Sequence, residues 1–262
     1  MMWSSEAEAA IKKVPFFVRK KVRARVESEA AAAGKSTVSL TDVEASRARY
    51  VKKMVADIKG YQVDTCFGSG GCPNPANSCD LLLQKIETFL EKEDLFGFLK
   101  QRVPGDLKFH HEFRVTLAEC PNACSQPQIK DIGIIGAVVP ALTKEECTLC
   151  EACVDACKEK CVTVDTTART PDIDLECCLK CGQCIRDCPT GTIGAERSGF
   201  RVQLGGKLGR HPTLAVELEG LYSEDEVFEI VRRCVKFYKE NSQHGERFAE
   251  IFQNVDFLRD LT

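Results

Sequence analysis

The spacing of apolar residues changes several times along the chain, and each change predicts an element. SEAEAAIKKVPFFVRKKVRARVESEAAAAG mixes Ala with Glu, Lys and Arg and predicts helix over residues 4–33. Gly34 is its stop, and Pro15 kinks or splits it, because proline lacks an N–H and clashes with the preceding turn. Thr41 and Glu44 form a capping-box pattern before a second helix, about residues 42–58, ending near Gly60. A loop rich in Gly, Pro and Asn follows. Next comes an amphipathic helix, about 79–93, with Leu81, Leu82, Ile86, Phe89 and Leu90 assigned to one face. FHHEFRVTL alternates as a strand does, and IKDIGIIGAVV reads as a strand or strand pair interrupted by glycine. The tail is helical from Ser223, capped with Glu226, and is expected to carry two helices to the end.

Composition narrows the chemistry. A net charge of −3 and 44% apolar residues show no global nucleic-acid or acidic-tail signature. The opening MMWSSEAEAAIKK is too polar for a signal peptide, and no apolar run approaches a membrane span. The expected location is cytoplasmic. Cysteine is the outlier, with 16 residues. In a reducing compartment such a count favours metal binding over disulfides.

Two cysteine runs repeat at an offset of 31 residues: CTLCEACVDAC and CLKCGQCIRDCP. Each has the spacing C-x2-C-x2-C-x3-C that holds 4Fe–4S clusters in two-cluster ferredoxins, where the fourth cysteine of each run serves the other cluster. Three cysteines on a tight turn reach three corners of one cube, and the fourth points at its neighbour. Cys147, Cys150, Cys153 and Cys188 are therefore assigned to one cluster, and Cys178, Cys181, Cys184 and Cys157 to a second. Zinc ribbons space two CxxC pairs by a dozen or more residues, unlike these runs. Pro189 follows the second run but Lys158 the first, a departure that leaves every ligand in place.

Two pairs lie outside the runs: Cys66 with Cys72, five residues between, and Cys120 with Cys124, three between. The first pair is in a Gly-rich loop where backbone can approach a cofactor, and the second ends the FRVTLAE strand. Four thiolates from two loops can hold a third cube. Cys79, Cys161, Cys177 and Cys234 read as small core or loop residues. His110 and His111 precede the strand leading to Cys120, with one of them expected to face outward.

The ordered pairs, continued by CPNACSQPQIKDIGIIG and later by GFRVQLGGKLGRHP, resemble the sirohaem–4Fe–4S half of sulfite and nitrite reductases over residues 62–258. The resemblance implies an α+β fold: a sirohaem-reductase-type domain over 59–142 and 197–262 with a two-cluster ferredoxin inserted at 143–196. It implies that Cys66, Cys72, Cys120 and Cys124 hold a third cluster, and that Cys124 also bridges to sirohaem. Lys207 and Arg210 become candidates for contacts with an anion, sulfite or nitrite, beside Gly205, Gly206 and Gly209, whose backbone could approach carboxylates. A redox donor protein is the implied partner.

Residues 1–58 are expected to form a helical module, and about residues 3–50 of it resemble instead the small helical module that ends one of the chains of light-independent protochlorophyllide reductase. That module lies near a tetrapyrrole, which implies a lid over the cofactor. Arg19, Lys20 and Arg23, with Lys21 and Arg25, could hold sirohaem carboxylates or form the solvated face of a basic helix. Sirohaem reductases carry a further half-domain before the first cysteine pair, unmatched in the first 65 residues here. Three readings follow: first a sirohaem-type reductase, as its rival a non-enzymatic electron-transfer subunit that lacks a sirohaem pocket of its own, and third a reductase whose missing half comes from a partner chain or a second copy.

Overall fold

The structure is a computed structural model. It describes residues 1–56, 58–68, 70–256 and 258, the side chains of 52–56 excepted. It divides into two compact units, one of residues 1–58 with 106–108, the other of 59–105 with 109–262.

The first unit holds β1 (Met2–Trp3), α1 (Ser5–Lys12), α2 (Phe16–Ala32), β2 (Thr37–Val38) and α3 (Leu40–Ala56), with β1 and β2 paired in parallel. Pro15 separates α1 from α2, as its missing N–H requires. Arg19 closes the joint: its guanidinium donates to the carbonyls of Lys12 and Val14 at 2.9–3.1 Å, satisfying groups the end of α1 leaves open. Ala7, Val26, Ala30 and Val38 form a small core with Trp3, Val22 and Val43. Arg23 lies 4.5 Å over the Trp3 ring and donates to both carboxylate oxygens of Glu8.

The cap of α3 differs from the expected Thr41–Glu44 box. The Ser39 N–H and hydroxyl both donate to Asp42 Oδ2, at 2.9 and 2.6 Å. The chain turns as it leaves β2, so the helix starts earlier and the preceding S-x-x-D wins. Residue 57 of the expected 42–58 helix lies outside the described residues.

The second unit is built on β3 (Tyr61–Thr65), α4 (Asp80–Lys92), α5 (Leu95–Arg102), β4 (Phe113–Ala118), β5 (Ile132–Leu142), α6 (Ala152–Ala156), β6 (Val162–Asp165), β7 (Thr170–Ile173), α7 (Gln183–Asp187), β8 (Ile193–Leu204), β9 (Val216–Glu217), α8 (Glu224–Asn241) and α9 (Phe248–Ile251). One sheet runs β3-β4-β5-β8-β9, parallel through β5 and antiparallel after it. Helix α8 starts with the expected Ser223–Glu226 box and buries Val227, Ile230, Val231, Cys234, Val235 and Tyr238. Tyr238 meets Phe113 of β4 at 5.2 Å and Phe98 of α5 at 5.4 Å, and Phe89 of α4 meets Phe228 edge-on at 5.7 Å.

Strand β4 is buried at every position but Arg114, so the alternation read from the sequence is hidden on both faces. FHH forms a 3-10 turn before it. Leu81, assigned to the buried face of α4, is 64% exposed, and Leu82, Ile86 and Leu90 carry the packing. The tail forms α8 and the short α9, while residues 257 and 259–262 lie outside the described residues.

β5 and β8 form one long hairpin, paired from Ile132↔Leu204 to Leu142↔Ile193 with a bulge at Val139/Pro140. The cysteine runs occupy the excursion at its far end. Cys153, Val162, Cys184 and Ile193 form the core there, and β6–β7 make a hairpin. Among the described residues no helix is long and apolar enough to cross a membrane.

Candidate iron-sulfur centre

The two runs fold as copies of one loop. The third and fifth residues of each adopt left-handed backbone: Leu149 and Glu151 at φ 59° and 56°, Lys180 and Gly182 at 61° and 72°. Three of these four are not glycine, an uncommon conformation that the surrounding loop must enforce. The turn aims backbone donors at sulfur, with Leu149 N–H to Cys147 Sγ at 3.4 Å and Lys180 N–H to Cys178 Sγ at 3.3 Å.

Cys153 lies in electrostatic range of Cys147 and Cys188, and Cys184 in range of Cys178, Cys181 and Cys157. Burial pushes the Cys153 thiol up, and the Cys188 and Cys147 sulfurs add to it. Burial takes Cys184 to about 11, with Cys178, Cys181 and Cys157 adding. Cys178 is raised in the same way, with Cys181 and Cys157 beside it. Cys188 ends lower, at about 7, because N–H groups of Ile193, Thr190 and Thr192 and the Thr190 hydroxyl outweigh its burial. Cys150 is exposed on its loop.

The other four cysteines come together by topology. Parallel pairing of β3 with β4 sets Thr65 opposite Leu117, so Cys66 and Cys120 both leave the carboxyl ends of adjacent strands. Burial raises the Cys120 thiol, and the Cys72, Cys124 and Cys66 sulfurs add to that rise, which places all four in electrostatic range. Glu119 N–H reaches Cys66 Sγ at 3.3 Å, and Asn122 Nδ2 reaches Cys124 Sγ at 3.0 Å. Cys124 is exposed, and the other three are half-buried. Gly136 of β5 makes the fit possible: a Cβ there would lie 2.7 Å from Glu119 O and 2.8 Å from Asn77 O.

Among the described residues, no three His, Cys, Asp or Glu side chains converge as ligands of one metal ion. A cubane spreads its thiolates over four irons and holds them farther apart. The all-thiol donor sets and their N–H···S bonds fit such clusters.

The second run lies against the third set. Arg186 Nη1 donates to Pro75 O at 2.7 Å, and Gln183 Nε2 to Asn74 Oδ1 at 3.3 Å, just after Cys72. Val138 N–H donates to Lys180 O at 2.8 Å. The Cys178–Cys184 loop and the start of α7 are thus tied to β5 and to the segment that follows Cys72.

The candidate anion and carboxylate contacts come out differently. The Gly205 and Gly206 N–H groups already donate to Asp131 O and Lys130 O, both at 2.9 Å. Side chains there would strike Phe252 and the Gln128 carbonyl, so packing explains both glycines. Lys207 Nζ pairs with Glu250 at 2.8 Å. Gly209 (φ 131°) and exposed Arg210 lie on an open turn. Arg19 and Arg23 are engaged within their own unit, while Lys20 is exposed. His110 and His111 occupy the 3-10 turn, their rings 4.2 Å apart.

Of the surplus cysteines, Cys79 and Cys234 are buried, and burial pushes both thiols well up. Cys161 and Cys177, read from the sequence as separate core or loop residues, form a disulfide. The spacing alone carries no signal for it, since the pair lies 16 residues apart across the β6–β7 hairpin.

Comparison with known proteins places both regions. The family described as "Nitrite and sulphite reductase 4Fe-4S domain" matches residues 61–258, and "Proto-chlorophyllide reductase 57 kD subunit" matches 3–47. The coenzyme F420-dependent sulfite reductase of Methanocaldococcus jannaschii is 30% identical over 72% of this chain and 29% of its own length. The beta chain of the dissimilatory-type sulfite reductase of Archaeoglobus fulgidus is 33% identical over 56% of this chain and 44% of its own. A light-independent protochlorophyllide reductase chain of Pelodictyon phaeoclathratiforme is 60% identical over 15% of this chain and 8% of its own. The chain spans under half the length of these relatives. With a match across three quarters of its residues, this chain is an iron-sulfur protein of the nitrite and sulphite reductase 4Fe-4S domain family.

Proposed function

We propose that the chain is the iron-sulfur part of a sulfite or nitrite reductase, holding three 4Fe–4S clusters and presenting the third to sirohaem. The exposure of Cys124 carries this reading. It is the exposed thiol of a set whose other three are half-buried, so its sulfur can also ligate a group bound outside the fold. When bound, the clusters transfer single electrons and sirohaem supplies the iron centre for a six-electron reduction.

The residues have separable tasks. Three sets of four cysteines hold the cubes. N–H donors from Leu149, Lys180 and Glu119, and the Asn122 amide, stabilise negative charge on ligand sulfurs. Arg186 and Gln183 hold the Cys178 loop against the third set, so this loop rather than the Cys147 loop is the near neighbour. Exposed Arg210 is the cation of the glycine-rich return available to an anion.

The rival reading, an electron-transfer subunit without sirohaem of its own, gains from one observation. Lys207, Gly205 and Gly206 are already engaged. Anaerobically purified protein decides between them. Sirohaem absorbance with viologen-linked reduction of sulfite or nitrite supports the reductase, and cluster absorbance without sirohaem supports the electron-transfer role.

A further inference from the structure

The repeat that builds the two runs extends beyond the ligands. Asp174 N–H donates to Cys161 O at 2.9 Å, and Thr143 N–H donates to Thr192 O at 2.8 Å. Both residues of the second bond stand 31 positions from their counterparts, a hydrogen bond displaced by one repeat. The same offset relates Cys161 to Thr192 and Cys177 to Glu146. In one half the Thr192 hydroxyl donates to Glu146 O at 3.0 Å. In the other, the equivalent pair is the Cys161–Cys177 disulfide, Cα–Cα 5.9 Å, within the span such a bond requires. The fold brings these positions together in both halves, but only the half around the Cys178 run carries thiol chemistry there.

Both cysteines abut ligands assigned to the same cluster. Cys161 N–H donates to Cys157 Sγ at 3.3 Å, and Cys177 directly precedes Cys178. Cys161 is 3% exposed, whereas Cys177 is exposed. An incoming thiolate therefore reaches the Cys177 sulfur first.

We propose that Cys161 and Cys177 form a redox-active dithiol–disulfide site, reduced by a small dithiol or a dithiol protein, that adjusts the neighbouring cluster. The reductant's thiolate attacks Cys177 Sγ. The bond to Cys161 breaks, and Cys161 leaves as a thiolate and takes a proton from solvent. The reductant's second thiolate then displaces Cys177, which is protonated in turn. Both electrons come from the dithiol, which ends as a disulfide. Opening frees the Cys161 backbone and weakens its N–H···S bond to Cys157, and losing that donor disfavours the more negative, reduced state of the cluster. The pairing stands on geometry alone, whereas its effect on a cluster rests on the proposed ligation.

The test equilibrates anaerobic full-length protein with oxidised or reduced dithiothreitol, quenches it in acid, unfolds it and alkylates it for mass spectrometry. Oxidised protein should carry two fewer alkyl groups, missing from Cys161 and Cys177. Equal counts in both buffers, or a linkage between other cysteines, would overturn the site. Cys177→Ser should abolish the difference, and Cys161→Thr/Cys177→Glu, which transplants the pair from the other half, keeps the fold as a control. An EPR-monitored titration should show one insert cluster shifting to lower potential on dithiol reduction, in the native chain but in neither variant. A two-thiol change with no shift in either insert cluster would refute the coupling. Absence of clusters, with the two-thiol change intact, would count against the proposed function rather than the site.

Discussion

The insert and the Cys66–Cys124 set solve one problem by different means. In the insert, each set takes three sulfurs from one seven-residue turn, and the turn is written into local sequence. The other set draws Cys66 and Cys120 from the ends of two parallel strands whose pairing spans 52 positions. Its geometry depends on the register of the sheet and on a glycine in a third strand. Local construction is legible in the sequence, whereas topological construction depends on strand register, and each kind leaves an exposed thiol, Cys150 in the insert and Cys124 in the other set.

The largest expected break in this contrast is Gly136→Val. Its Cβ would meet the carbonyls of Glu119 and Asn77 at under 3 Å, and neither is a flexible side chain. Iron content should fall by about four per chain, one cube, while the insert keeps its spectra. Uniform loss across all three sets would mean that they are not separately assembled.

Cys124→Ser tests the outward thiol. The exposed position should tolerate serine, and the insert clusters should stay. Viologen-linked sulfite or nitrite reduction should be lost. Full retention of activity would remove Cys124 from the proposed role.

The ferredoxin-type runs, the capped start of α8 and the split at Pro15 are legible in the sequence because each depends on near neighbours. Strand β3, helix α5 and the disulfide are not. β3 is only five residues long, so the alternation in YQVDT is too brief to mark it, and its identity comes from pairing with β4. The cations mislead for a related reason. A Lys beside glycines looks available until α9 brings Glu250 to it. The four cysteines of the third set emerge through ordered motifs, since nothing in their spacing gives the strand register that joins them.

A third prediction concerns the sheet that the topological set relies on. Asp131, just before β5, is buried, with Oδ1 lacking a hydrogen-bond partner. Burial pushes its carboxyl up to about 6, against the pull of Arg247 and Arg114. The folded state thus holds the proton more tightly than the unfolded chain, where the value is near 4. Its contribution is intact below about pH 4 and declines as pH rises through 6, a penalty of about 3 kcal/mol at neutral pH. Asp131→Asn should raise the denaturation midpoint at pH 7.5 more than at pH 5.5. Equal shifts at both values would contradict the assignment.

The smallest effect is expected at the junction between the two constructions. Arg186→Ala removes the hydrogen bond to Pro75 O, worth about 1–3 kcal/mol. Hydrogen exchange should quicken at residues 73–77 and 183–187 with cluster content unchanged. Protection equal to that of the native chain would show that the latch does not hold the two loops together.

The central claim is that three sets of four cysteines are three cluster sites. Iron and acid-labile sulfide, measured per chain on anaerobically purified protein together with native-state alkylation, test it most directly. The account predicts about 12 cluster irons, with one more if sirohaem is bound, and ligand cysteines protected from alkylation. About eight irons, with Cys66, Cys72, Cys120 and Cys124 open to alkylation, would contradict it.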